Sequence, residues 1–142
     1  MSLKGPHPGI LYLLLLGMAA CLMVHGQSAG FEGFLKRHVE NPKSDFGNDN
    51  NYCYQMMRRR GLNCQRSNTF IHANQEQLKS ICSSRGQILH GNQISKTLFP
   101  ITICKLKRRL RRLVCRYKGK SKIRRIRVTC EKGLPVHYIS SV

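Results

Sequence analysis

Six cysteines spread between positions 53 and 130 dictate the architecture of this chain: Cys53, Cys64, Cys82, Cys104, Cys115 and Cys130. A seventh, Cys21, lies in an uncharged apolar run from Ile10 to Val24 that follows the lone Lys4 and closes on Val24-His25-Gly26. That pattern reads as a signal peptide over residues 1–26, cleaved to leave Gln27 at the head of a single domain, 27–142. A membrane anchor would need about 20 apolar residues with matching flanks, whereas this run holds Gly17 and ends in a processing site. An even number of cysteines in a secreted, extracellular chain predicts three disulfides. Zinc is the rival use of cysteine. It is disfavoured because no two of the six form a C-x-x-C pair and the histidines do not cluster beside them. Spacing alone leaves the pairing open.

Without the leader, 24 basic residues face 6 acidic ones, a formal charge of +18. So much charge on one small domain implies a polyanionic partner. RNA, sulfated glycans and anionic bacterial surfaces all qualify, and charge does not choose among them.

Phe31, Phe34, Leu35 and His38 recur at helical spacing before Pro42, which predicts a first short helix over 31–39. The polar stretch Asn41 to Asn51 reads as a loop. A second helix is expected from Tyr52 to Arg60, stopped by Gly61, then a strand at Thr69 to His72, a third helix from Glu76 to Cys82 and turns from Ser83 to Asn92. Beyond Ile101, apolar and β-branched residues alternate with polar ones through Ile139, as in half-buried strands. Short helices followed by consecutive strands indicate an α+β fold. There is no internal repeat and no N-x-[S/T] glycosylation site.

One stretch admits two readings. Lys105 to Arg127 holds thirteen Lys or Arg and no acid. Leu106, Leu110 and Leu113 fall at helical spacing among the cations, as in a membrane-active helix, yet alternation at both ends and the flanking cysteines favour two strands joined by a basic tip.

Several motifs together identify a family. Cys64-Gln65-Arg66-Ser67-Asn68-Thr69-Phe70 is similar to the signature Cys-Lys-x-x-Asn-Thr-Phe of the pancreatic-ribonuclease (ribonuclease A) superfamily. Leu134-Pro135-Val136-His137-Tyr138 resembles that family's C-terminal histidine strand, and Phe34-Leu35-Lys36-Arg37-His38 its first helix. Met57-Arg58-Arg59-Arg60-Gly61-Leu62 and Asn68 to His72 resemble the angiogenin branch. The resemblance implies three short helices packed on a bent antiparallel sheet and the disulfides Cys53–Cys104, Cys64–Cys115 and Cys82–Cys130. Each would close a loop of roughly 50 residues, for which the chain-entropy model gives about 4 kcal/mol.

It also implies a chemistry that uses no metal or cofactor. Cleavage of RNA beside a 2′-hydroxyl needs a base for the hydroxyl proton, an acid for the departing 5′-oxygen and donors for the charged phosphorane. By resemblance His38 is the base, His137 the acid, and the first product a 2′,3′-cyclic phosphate. Thr69 reads a pyrimidine, Asn68 walls its pocket, Tyr138 stacks on the base, and Lys36 and Arg37 contact flanking phosphates. Arg58-Arg59-Arg60 resembles the branch's nuclear-import run, with uptake to the nucleus as its corollary; a solvated basic helix end is the plain alternative. A monomer that binds the cytosolic ribonuclease inhibitor is a further expectation by analogy.

Three positions depart from the family pattern. Gln65 stands where the family places a catalytic lysine, and a neutral donor is roughly half as strong as a charged one. Loss of such a donor costs on the order of 10²–10³ in rate. Arg66 follows, but neighbours in extended chain point to opposite sides. Ile139 replaces the aspartate that orients the acid histidine, and Ser140 the glutamine that obstructs the pyrimidine pocket in the angiogenin branch. A weak enzyme with an open pocket is expected. The alternative is a non-enzymatic, cationic host-defence protein on the same scaffold. Weakest is a growth-factor reading through the loop Ser83 to Asn92.

Overall fold

The computed structural model describes residues 28–142; the expected leader and its cleavage site lie outside the described residues. A π-helical turn, Ser28–Glu32, runs into helix α1, Gly33–His38. Helix α2 spans Asp49–Arg59. It starts three residues earlier than the apolar periodicity suggests because the Asn48 side chain accepts from the Asn51 N–H and caps it. Helix α3, Gln75–Ser80, begins with a capping box between Asn74 and Gln77.

The strands are β1 (Ser67–Ile71), β2 (Ser83–Ser84), β3 (Gln87–Ile88), β4 (Gly91–Ile94), β5 (Phe99–Arg111), β6 (Val114–Arg124), β7 (Ile126–Glu131) and β8 (Leu134–Ser141). They form two antiparallel three-stranded sheets, ordered β1-β5-β6 and β4-β7-β8, with β2 and β3 as a separate small hairpin. The chain passes from one large sheet to the other at Arg125. The turn region expected over 83–92 therefore contains a hairpin and the start of an edge strand. The basic segment is strand, not helix: β5 and β6 pair from Phe99↔Arg124 to Arg111↔Val114. Their tip turns at Leu113, whose φ of +70° is left-handed and whose carbonyl accepts from Asn63 Nδ2 at 2.8 Å.

Two apolar clusters hold these layers together. Phe34, Ile71, Leu78, Phe99, Ile101, Ile126 and Val128 join α1 and α3 to both sheets. Tyr52, Met56, Met57, Phe70 and Tyr117 bind α2 to the β1-β5-β6 sheet. The disulfides are Cys53–Cys104, Cys64–Cys115 and Cys82–Cys130, the pairing the resemblance implies. At Gly119 the N-terminus of α2 meets β6 so closely that an added Cβ would lie 2.2 Å from the Asp49 carbonyl oxygen.

Candidate active site

Helix α1 stops at His38 because Val39 turns to extended backbone (φ −116°, ψ 124°) and forms a parallel bridge with Ile71 of β1. This places the last helical side chain against the neighbouring strand. Phe34, one turn earlier, is buried with its ring 5.5 Å from the imidazole. The His38 Nδ1 lies 2.9 Å from the Thr69 carbonyl oxygen. A carbonyl only accepts, so Nδ1 carries the proton and Nε2 keeps its lone pair. Burial pushes the His38 pKa down to about 4, against a rise from the Thr69 hydrogen bond; Arg37 and His137 lower it further. At neutral pH this imidazole is neutral, with one free basic nitrogen.

His137 sits on β8, paired in register with Thr129 of β7. It is exposed. Among the described residues the one ion pair is Lys43–Asp49, so no carboxylate partners the His137 ring. Two positions on, Ile139 is 41 % exposed and offers no acceptor. Tyr138 turns its ring to His38, 5.2 Å between centroids and tilted by 37°.

Gln65 enters from the loop after α2. Its N–H donates to the Leu62 carbonyl at 3.1 Å and its carbonyl accepts from the Tyr117 hydroxyl at 2.6 Å. The adjacent Cys64 is bonded to Cys115 of β6, so the segment is held from two sides.

A cleft of about 520 Å³ brings together His38, His137, Gln65, Tyr138, Lys36 and Arg37. A smaller recess of about 290 Å³ adjoins it, sharing Arg37, His38, Gln65 and Tyr138 and adding Asn68, Thr69 and Ile139. Arg66 is exposed and lines neither. Asn68 also ties the elements together, its Nδ2 donating to the Arg37 carbonyl at 2.9 Å. The arrangement presents one free imidazole lone pair, a second imidazole, a neutral amide and the cations Lys36, Arg37 and Arg60 around one open cleft.

The basic run at the end of α2 is dispersed. Arg58 lies over the Tyr54 ring and donates to its hydroxyl at 3.2 Å, and Arg59 lies over Phe46. Arg60 lines the cleft while its guanidinium donates to the carbonyls of Leu35, Lys36 and Val39. It thereby satisfies the open C-terminal end of α1, the helix that carries His38. Sequence reasoning grouped Arg60 with its neighbours; only its position before Gly61 hinted that it would stand at a helix terminus.

Residues 30–139 match the family model described as pancreatic ribonuclease. The chain is 39% identical to a ribonuclease of Chelonia mydas over 112 residues, covering 76% of this chain and 94% of that one. It is 40% identical to an angiogenin of Saimiri sciureus over 143 residues, covering 97% and 96%. The solved green turtle egg white ribonuclease superposes with a TM-score of 0.71 at 35% identity, over 79% of this chain and 98% of that structure. Matched by the family model over most of its length and by relatives at this identity and coverage, the chain belongs to the pancreatic ribonuclease family, on its angiogenin-like side.

Proposed function

We propose that this protein is a secreted endoribonuclease that cleaves RNA on the 3′ side of pyrimidines, through a 2′,3′-cyclic phosphate, with low turnover. The observation that carries the reading is the hydrogen bond from His38 Nδ1 to the Thr69 carbonyl. It leaves Nε2 basic beside a second histidine in one cleft. His38 takes the 2′-hydroxyl proton, the 2′-oxygen attacks phosphorus, and the 5′-oxygen leaves with a proton from His137. Gln65 donates to the phosphorane oxygens as a neutral amide. Thr69 and Asn68 in the adjoining recess supply the hydrogen-bonding edge a pyrimidine needs, and Tyr138 the apolar wall. Low turnover follows from the missing charge at Gln65 and the missing orienting carboxylate at Ile139.

A host-defence role at anionic bacterial surfaces is a second, compatible reading. It is supported by the β5–β6 hairpin, where Leu110 and Leu113 are 43 % and 67 % exposed among arginines. Should catalysis be absent, that surface becomes the function and the ribonuclease framework its scaffold.

The test is cleavage of a fluorogenic uridine-containing oligonucleotide by residues 27–142, beside Gln65→Lys and His137→Ala. Slow cleavage that rises with Gln65→Lys and vanishes with His137→Ala supports the enzyme. No cleavage at high protein concentration moves the function to the cationic hairpin.

A further inference from the structure

A third cavity of about 420 Å³ opens away from the catalytic histidines, between the start of α2 and the basic hairpin; Asn48, Asn50, Tyr54, Lys107, Arg116 and Tyr117 are among its lining residues. Its charge is of one sign. The Asn48 Oδ1 accepts from the Asn51 N–H, and the Asn50 Oδ1 from the Gly119 N–H, both at 2.8 Å. Each carboxamide oxygen thus holds one hydrogen bond within the fold, and the NH₂ groups of the two side chains donate to no partner among the described residues. Lys107 and Arg116 are exposed on paired strands, and among the described residues neither forms an ion pair. No carboxylate lines the cavity. Asp49, which lies between the two asparagines, is engaged instead by Lys43 and Ser121 at 2.8 and 2.7 Å. The cavity therefore sets two cations and the asparagine amides beside an apolar part, Leu110 and Val114, and one partly exposed aromatic ring, Tyr54.

This set suits a nucleotide of single-stranded RNA: cations and amide donors for the phosphate, and Tyr54 with the Arg58 guanidinium 5.3 Å from its ring centre as a stacking platform. Placement agrees with chemistry. The catalytic cleft takes Arg60, Gly61 and Leu62 from beyond the C-terminal end of α2, and the third cavity takes Asn48 from its N-terminal cap. An 11-residue helix is about 16 Å long, a span that a short run of nucleotides covers.

Resting on the ribonuclease reading above, we propose that the cavity bounded by Tyr54, Lys107 and Arg116 is a distal binding site for the RNA strand whose scissile bond lies in the catalytic cleft. The site makes the enzyme prefer long single-stranded substrates over dinucleotides.

The experiment compares the mature chain with Tyr54→Ala and with Lys107→Glu/Arg116→Glu on two substrates. One is the dinucleotide uridylyl-adenosine; the other is a 20-nucleotide deoxyadenylate with a single ribouridine at its centre. We expect kcat/KM on the dinucleotide to stay within twofold and KM on the long substrate to rise about tenfold. Affinity for an all-deoxy 20-mer, read by fluorescence anisotropy, should fall with it. Its log–log salt slope should shrink by about 1.4 in the double variant, which leaves two phosphates without their cations at about 0.7 each. Equal effects on both substrates, or no effect on either, overturn the proposal. So does unchanged oligonucleotide affinity with lost binding to heparin or to vesicles containing phosphatidylglycerol, which assigns the cavity to another polyanion. The anisotropy arm reads the site even if no cleavage occurs, so a failure of the enzyme reading and a failure of the distal site remain distinguishable.

Discussion

The His38 imidazole and the Thr69 carbonyl, 31 positions apart in sequence, are joined by a 2.9 Å hydrogen bond that fixes which ring nitrogen holds the proton. Because Thr69 also belongs to the recess proposed for the pyrimidine, the tautomer of the base and the wall of the base pocket depend on the same residue.

The acidic limb of kcat/KM should therefore fall well below 6.5, the ordinary histidine value, toward the His38 value of about 4. The sign is fixed by role: a general base acts when unprotonated, so activity appears as pH rises through its pKa. Arg37→Ala, which removes a positive neighbour, should move that limb upward. A limb unaltered by Arg37→Ala would mean that the guanidinium does not tune the base.

Folding stability should follow the same group. A histidine whose pKa is depressed in the fold contributes stability that is complete above 6.5 and is lost as pH falls toward 4. The loss is on the order of 3 kcal/mol at the acid end, at 1.36 kcal/mol per pKa unit. His72, also lowered by burial, adds in the same direction. Urea unfolding of the wild type beside His38→Ala and His72→Ala between pH 7 and pH 4 separates the two rings from Glu40 and Asp49, whose lowered pKa values act in the same direction; equal pH slopes in wild type and variants would contradict the linkage.

Gln65→Lys should raise kcat by about 10² by restoring a charged donor, with little change in Tm because the backbone at 65 is anchored independently of its side chain. Single-turnover kinetics separates this gain from any change in binding.

Arg60→Ala should cost about 2 kcal/mol of stability, since hydrogen bonds from a charged donor to three carbonyls are lost at once. Catalysis should drop with it, because α1 carries His38. Arg60→Lys should rescue only partly: an ammonium lacks the planar fork that spans Leu35, Lys36 and Val39. Full rescue by lysine would mean that charge alone, not fork geometry, matters.

Gly119→Ala should destabilise by about 3 kcal/mol, as overpacking does. The new methyl meets Asp49 backbone at 2.2 Å, and relief requires α2 to move, which also breaks the Asn50 contact to the Gly119 N–H. Thermal unfolding measures the loss, and an unchanged Tm would mean that α2 gives way freely at Asp49.

The strands were legible wherever one face is buried, as in the alternating burial of Ile126 to Cys130 on β7. Strand β4 was not, because Gly91-Asn92-Gln93-Ile94 is mostly exposed and its polar residues read as turn. Apolar periodicity placed the start of α2 at Tyr52 and overlooked the Asn48 cap, a signal that was present. For the site, the order of motifs put His38, His137 and Gln65 in one chain, while their sharing of one cleft depends on long-range pairing of β1 with β5 and β7 with β8. The role of Arg60 was illegible because its acceptors lie 21 to 25 residues away.

The anchoring of Gln65 has an evolutionary meaning. Its backbone is clasped by Tyr117 and, through the neighbouring Cys64, by Cys115, so the position keeps its place whatever side chain it bears. Glutamine and lysine codons differ by a single nucleotide. On the proposed mechanism a change at this one residue turns turnover down or up while fold and cationic surface remain as they were, and selection can act on the dose of cleavage separately from everything else the molecule does.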